Sequence, residues 1–138
     1  MKNKYEAIIQ MILAHHPDTQ AIYLFGTYGT EEEWPESDVD IALLLPPKEA
    51  KQVGSLAMSK LQVTLEQLLG KDVDLINLRR VSTVFQKEII LSDRRFFCQD
   101  DYAADEFEML TISFYQKLNE ERQQILDEFW QTGRAYKV

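Results

Sequence analysis

Two aspartates, Asp38 and Asp40, stand one residue apart in the run DVDIALLL, where every side chain after Asp40 is apolar. Alternate side chains of a strand share a face, so these carboxylates project together with Cα atoms about 6.6 Å apart, near enough to share one or two metal ions. Val39 and Ile41 fill the opposite face. Aspartate is depleted in strands, and paired carboxylates beside an apolar core are costly unless a cation neutralises them. Hard Mg²⁺ prefers carboxylate oxygens and keeps positions for water and phosphate, which suits phosphoryl or nucleotidyl transfer. No His/Cys cluster argues for zinc. Upstream, Gly26-Thr27 closes another apolar run, with ten residues between it and Asp38. Gly26 lets the backbone approach a ligand, and Thr27 offers a hydroxyl and an amide to phosphate oxygens, particularly where a helical turn begins. A third carboxylate is expected from a strand beside these two. In KDVDLINL, Asp74 lies between Val73 and Leu75, whereas Asp72 sits at the strand mouth beside Lys71 as a solvated loop charge. Asp74 is therefore the candidate.

The elements that must position these groups follow from periodicity. Tyr5, Ile8, Ile9, Ile12 and Leu13 recur at helical spacing until Pro17-Asp18. Ala21 to Phe25 and Val39 to Leu45 read as buried strands, the first stopped by Gly26 and the second by Pro46-Pro47. Ala57, Leu61, Leu65, Leu68 and Leu69 mark the core stripe of a helix closed by Gly70. Val73 to Leu78 is a third strand, Ser82 an N-cap for a short helix through Leu91, and Arg95 to Cys98 a fourth, edge strand. Phe107, Leu110, Phe114, Leu118, Ile125 and Phe129 line one side of a long last helix, with Asp100 to Asp105 a flexible joint before it. A second stripe, Ile112, Tyr115, Leu126 and Trp130, makes its apolar cover wider than one domain can bury, which favours a partner or a dimer. The sum is an α/β (α+β) domain on a small mixed sheet with flanking helices.

Gly26-Thr27, ten residues, then Asp38-Val39-Asp40, with Ser37 before the first aspartate and Asp74 on the VDLINL strand, resembles the GS-x10-DxD signature of polymerase-β-type nucleotidyltransferases. The length is similar to the minimal nucleotidyltransferase (MNT) subfamily. The resemblance covers about residues 5 to 98. It implies a nucleotidyltransferase core over 1–100 with a C-terminal helix over 101–138 packing on the core or on a partner. It implies two Mg²⁺ ions held by Asp38, Asp40 and Asp74, with Asp74 also the base, and ATP held through Gly26, Thr27 and Ser37. It further implies an antitoxin that transfers AMP to a tyrosine of a HEPN-type RNase toxin, forming a hetero-oligomer with it. Two departures stand out: Thr27 replaces the usual serine, and Tyr28, next in line, brings no cation to the phosphates. The alternatives are an inert antitoxin acting by binding alone, and a small-molecule (aminoglycoside-like) nucleotidyltransferase completed by dimerisation.

Composition sets the remaining bounds. Fifteen basic against 23 acidic residues give a net charge of −8, which repels nucleic-acid phosphates, excludes a non-specific DNA or RNA binder, and suits a basic partner surface. The 138 residues suffice for one core but not for a second substrate-binding domain. The basic tip and interrupted apolar stretch of MKNKYEAIIQMILAHHPD read as a helix, not an export signal, and no run spans a bilayer. One cysteine, Cys98, forms no internal disulfide, which fits the cytoplasm and a small apolar side chain rather than a catalytic thiol. His15 and His16 point about 100° apart on a helix and finish it rather than bind metal. Arg79 and Arg80 are equally readable as triphosphate contacts or as solvated charges. Glu31 to Glu33 and Glu36 are expected to face solvent or a basic partner.

Overall fold

The strands alternate their cargo across a four-stranded sheet of order β3-β2-β1-β4. β1 (Ala21–Phe25) runs antiparallel to β2 (Val39–Leu44) and to β4 (Arg95–Cys98), and β3 (Val73–Asn77) runs parallel to β2. This is a computed structural model, and it describes residues 3–132, with side chains from 4 to 131. The basic tip at Lys2 and the segment 133–138 lie outside the described residues.

Helices cover both faces, which is why the strands read as near-continuous apolar runs. On one side α1 (Asn3–His15), α2 (Pro47–Val53) and α3 (Lys60–Leu69) meet Ile22, Leu24, Ile41, Leu43 and Leu75. On the other, α4 (Thr83–Leu91) and α5 (Asp101–Thr132) meet Tyr23, Ala42 and Leu44 through Ile89, Ala104 and Phe107. Ser59 and Ser82 cap α3 and α4 by accepting from the Gln62 and Phe85 amides, and Gly70 ends α3 in the left-handed conformation at φ 66°.

Three expectations need correction. Pro46-Pro47 does not merely stop β2: Pro47 opens α2, an element absent from the sequence reading, because proline's fixed φ and missing N–H suit the first helical turn. Ala57 and Leu68 are exposed, and α3 starts only at Lys60, so its core stripe is Leu61 and Leu65 with Leu69 partly buried. No joint precedes the last helix. α5 is continuous from Asp101, and the Asp100 carboxylate accepts from the Ala103 amide as an N-cap does.

The face that α5 buries also differs from the expected stripe. Phe107 is buried with Ala104 and Thr111, whereas Leu110, Phe114, Leu118 and Ile125 point to solvent. α5 is tied to the sheet by polar contacts that hydrophobic periodicity does not register. The Tyr23 hydroxyl donates to Glu108 Oε2 at 2.7 Å, and Arg95 donates to Glu108 at 2.9 Å and to Asp105 at 3.2 Å. No helix among the described residues is long and apolar enough to cross a membrane.

Candidate active site

The pairing register, rather than any one strand, gathers the candidate residues. Phe25, the last residue of β1, sits opposite Asp40, and Asp40 sits opposite Asp74 on β3. Asp40 shares the strand parity of Ala42 and Leu44, so this row lies on the α4 side of the sheet. Asp38 is exposed immediately before β2, at the same end. The chain leaves β1 through Gly26, whose φ of 77° is one that L side chains rarely adopt. Its missing side chain is equally important: a Cβ there would lie 2.1 Å from Asp40 Oδ2. The glycine bend and the carboxylate thus occupy one another's space, which puts the backbone of residues 26–27 beside Asp40.

Electrostatically this corner is unbalanced. Burial, then the charges of Asp74 and Asp38, push the Asp40 carboxyl above the usual carboxylate range. Among the described residues no three acidic or imidazole side chains stand close enough to form a ready metal cage. The carboxylates form instead a cross-strand pair with a third beside it. Crowded like charge in an all-oxygen donor set fits a hard divalent cation, which would relieve the repulsion, and does not fit zinc.

The loop from Gly26 to Ser37 is fastened from within and from both flanks. Thr27 Oγ1 donates to Ser37 Oγ at 3.2 Å, and the Trp34 amide donates to the same oxygen at 2.9 Å. Ser37 is buried, so its hydroxyl ties the two ends of the loop together. Residues 27–30 form a turn closed by the Thr30 amide on the Thr27 carbonyl, and no helix begins there. Arg94, just before β4, donates through Nη1 to the Gly26 carbonyl at 2.9 Å and through Nη2 to the Tyr28 carbonyl. Lys71, just before β3, donates to the Pro35 and Ser37 carbonyls at 3.3 and 3.4 Å and pairs with Glu33 at 3.4 Å. Glu33 also accepts from the Gly29 amide at 2.9 Å, so one acidic residue of the insert braces the loop while Glu31, Glu32 and Glu36 are exposed.

These two cations are what sequence reasoning missed. Tyr28 brings none, but Arg94 and Lys71 arrive from distant segments, and nothing in SDRRFFC or GKDV announces it. The other candidates separate cleanly. Arg79 is consumed by the fold, donating to the Leu45 carbonyl and to Gln20 and lying 5.2 Å from the Phe107 ring centre, while Arg80 is exposed. His15 returns to the Met11 carbonyl and His16 donates to Glu49, so the pair shares no ligand. Cys98 is half-buried, and that burial pushes its thiol up, away from a reactive thiolate.

Two cavities flank the carboxylate row. One, of about 520 Å³, is lined by Gly26, Ser92 and the edge-to-face pair Phe25 and Phe85. The other, of about 300 Å³, follows the outer side of β3 past Asp74. A bend that exposes backbone beside clustered carboxylates can hold a metal-bound polyphosphate, and the two cavities offer space on either side of it.

Known proteins resemble this chain in sequence and in fold. Residues 7–102 match the family described as Polymerase beta, Nucleotidyltransferase. The chain is 37% identical over 123 residues to the protein adenylyltransferase MntA of Shewanella oneidensis strain MR-1, across 88% of this chain and 84% of that protein. A solved toxin–antitoxin structure with AMP-PNP aligns over 94% of this chain and 98% of its own, at 32% identity and a TM-score of 0.67. So does the MNT antitoxin bound to the tri-AMPylated HEPN toxin of Shewanella oneidensis, over 94% of this chain and 99% of its own, at 31% identity and a TM-score of 0.64. The family match over residues 7–102 and the 37% identity along most of both chains make this chain a member of the polymerase-β nucleotidyltransferase family, within its minimal, antitoxin-type branch.

Proposed function

We propose that the protein is the antitoxin of a toxin–antitoxin pair and that it transfers AMP from ATP to a tyrosine of a HEPN-type RNase partner. The seating of Asp40 against Gly26, opposite Asp74, carries this reading. It is supported by the likeness to a protein adenylyltransferase and to an antitoxin bound to its AMPylated toxin. Asp38, Asp40 and Asp74 would hold Mg²⁺, two ions in all. Bound there, the metal supplies charge neutralisation for the triphosphate and acidifies the attacking hydroxyl.

The chain's own residues do the rest. Gly26 and Thr27 present backbone to the β and γ phosphates, with Arg94 and Lys71 holding that loop in shape and adding positive potential to an acidic protein. Ser37 acts through Thr27, which it anchors, rather than on the nucleotide. Asp74, exposed on its strand, accepts the phenol proton. The tyrosine oxygen bonds to the α phosphorus, the α–β anhydride breaks, and pyrophosphate departs along the Gly26–Thr27 loop. An adenylate placed beside an RNA-cutting site adds bulk and negative charge, which blocks the phosphate backbone.

The test incubates the protein with α-labelled ATP, Mg²⁺ and a candidate HEPN-type RNase partner. Label on a partner tyrosine, lost with Asp38→Asn plus Asp40→Asn, is the expected result. Silencing of the RNase by that double variant without label would replace the enzyme by an inert binder.

A further inference from the structure

In-line displacement places the attacking and leaving oxygens on opposite sides of the α phosphorus. If pyrophosphate leaves over Gly26, at the end of β1, the acceptor comes from the other side of β2. The sheet order puts β3 there, and among the described residues no further strand lies beyond it. We infer that the groove along the free edge of β3 is the acceptor subsite, and that it receives an extended, tyrosine-bearing segment of the partner protein. The inference rests on the AMP-transfer reading above.

Four features of the groove fit such a segment. First, the Val39 amide donates to the Asp72 carbonyl, which sets the ladder's parity: the main-chain groups of Val73, Leu75 and Asn77 turn outward. The outward Val73 amide is already taken by Glu66 Oε2 at 3.1 Å, and Leu75 and Asn77, each almost fully buried, line the groove, along which an extended segment would lie parallel to the strand. Second, Asn77 is only 3% exposed, and its Oδ1 has no hydrogen-bond partner among the described residues. Its Nδ2 donates to the Ala50 and Gly54 carbonyls at 3.0 and 2.7 Å, so the amide's orientation is settled and the orphan is an acceptor. A buried acceptor left unpaired is a standing penalty that a donor brought within reach of it would remove. Third, Asp74 lines the same groove, so a phenol lying in it meets its base. Fourth, Arg80 lines it too, exposed and without a partner among the described residues, a cation for the phenol oxygen as it gains negative charge. The cavity beside Phe25 and Phe85 borders Gly26 instead and lacks Asp74, which places it on the leaving side.

In the transfer the phenol O–P bond forms, the α–β anhydride breaks, its electron pair leaves with pyrophosphate, and the phenol proton passes to Asp74. The test uses the full chain with Mg²⁺ and AMP-PNP, titrated with N-acetyltyrosinamide while backbone amide shifts are followed. Shifts clustered on Ala57, Leu75, Asn77 and Arg80 are expected. Ala57→Trp, at an exposed loop position lining the groove, should abolish them and raise the KM for the partner at least about tenfold, leaving AMP-PNP affinity unchanged. Arg80→Lys should restore part of the turnover that Arg80→Ala loses. Shifts centred on Phe25 and Phe85, no shifts at all, or wild-type transfer by Ala57→Trp would each overturn the assignment. A wild-type protein that labels no partner tyrosine removes the transfer reading separately, and the amide shifts still decide whether the groove takes a tyrosyl segment.

Discussion

Asp40 concentrates the energetic conflict of the site in one side chain. Burial and two neighbouring carboxylates raise its folded-state pKa, so its contribution to stability is complete below the ordinary carboxylate value of about 4 and is lost as pH rises through the raised value. In EDTA, Asp40→Asn should therefore melt above the wild type at pH 7, and the difference should vanish toward pH 4. Mg²⁺ should raise the wild-type melting temperature at pH 7 and leave the variant unmoved, which calorimetry with and without the ion will show. Transfer should fall at least about 100-fold in the variant, since the charge proposed to position the ion is gone. An Asp40→Asn protein that melts lower than wild type in EDTA would mean that the carboxylate is stabilising as it stands. Gly26 is the partner of this conflict. In Gly26→Ala the new methyl meets Asp40 Oδ2 and the left-handed φ costs about 1–2 kcal/mol, so both stability and transfer should drop, read by urea melts and by label incorporation.

At the scale of elements, α5 depends on a polar clasp at its first turns. Tyr23 is 1% exposed and its hydroxyl donates to Glu108, so burial and the adjacent carboxylate push its phenol well above the usual range. Tyr23→Phe should cost about 1–2 kcal/mol in chemical denaturation. Glu108→Ala should cost more, because it strands a buried hydroxyl and removes a partner of Arg95. None of this was legible in the sequence: Tyr23 read as one more apolar residue of a strand, and Glu108 as one more acid on a charged helix. Features encoded by local chemistry were legible. Ser82 and Gly70 announce caps, Val39 to Leu45 a buried strand that the structure ends at Leu44, and Asp38, Asp40 and Asp74 carboxylates that strand pairing brings to one end of the sheet. α2 went unread because a prolyl pair marks both an end and a beginning. Arg94 and Lys71 went unread because tertiary structure alone brings them to the loop. The α5 stripe misled because hydrophobic spacing reports an apolar face without saying what it meets.

For the whole molecule, that face is what remains unaccounted for. α5 runs 32 residues, about 48 Å, well past the sheet it packs on. From residue 116 to 131 every position but Phe129 is exposed, including Leu118, Ile125, Leu126 and Trp130, the last at 76%. With Phe114 at 61%, Leu118 and Ile125 leave the first apolar stripe in water, and Leu126 and Trp130 leave the second. Within the two-part organisation proposed for the chain, 1–100 carries the transfer site and the remainder carries α5, which packs on the core or on a partner. Phe114 and Leu118 lie one helical turn apart on that helix. Phe114→Glu plus Leu118→Glu should leave the melting temperature within about 1 °C, because neither side chain is buried, while weakening the complex with the HEPN partner at least about tenfold. Titration calorimetry against that partner measures the loss, and sedimentation of the protein alone guards against a rival occupant. If the free protein is a dimer that the double variant converts to monomer, the face belongs to a second copy of this chain and the partner binds elsewhere. If the face belongs to the partner, association should also slow as salt is raised, since a protein of net charge −8 steers toward a basic RNase surface.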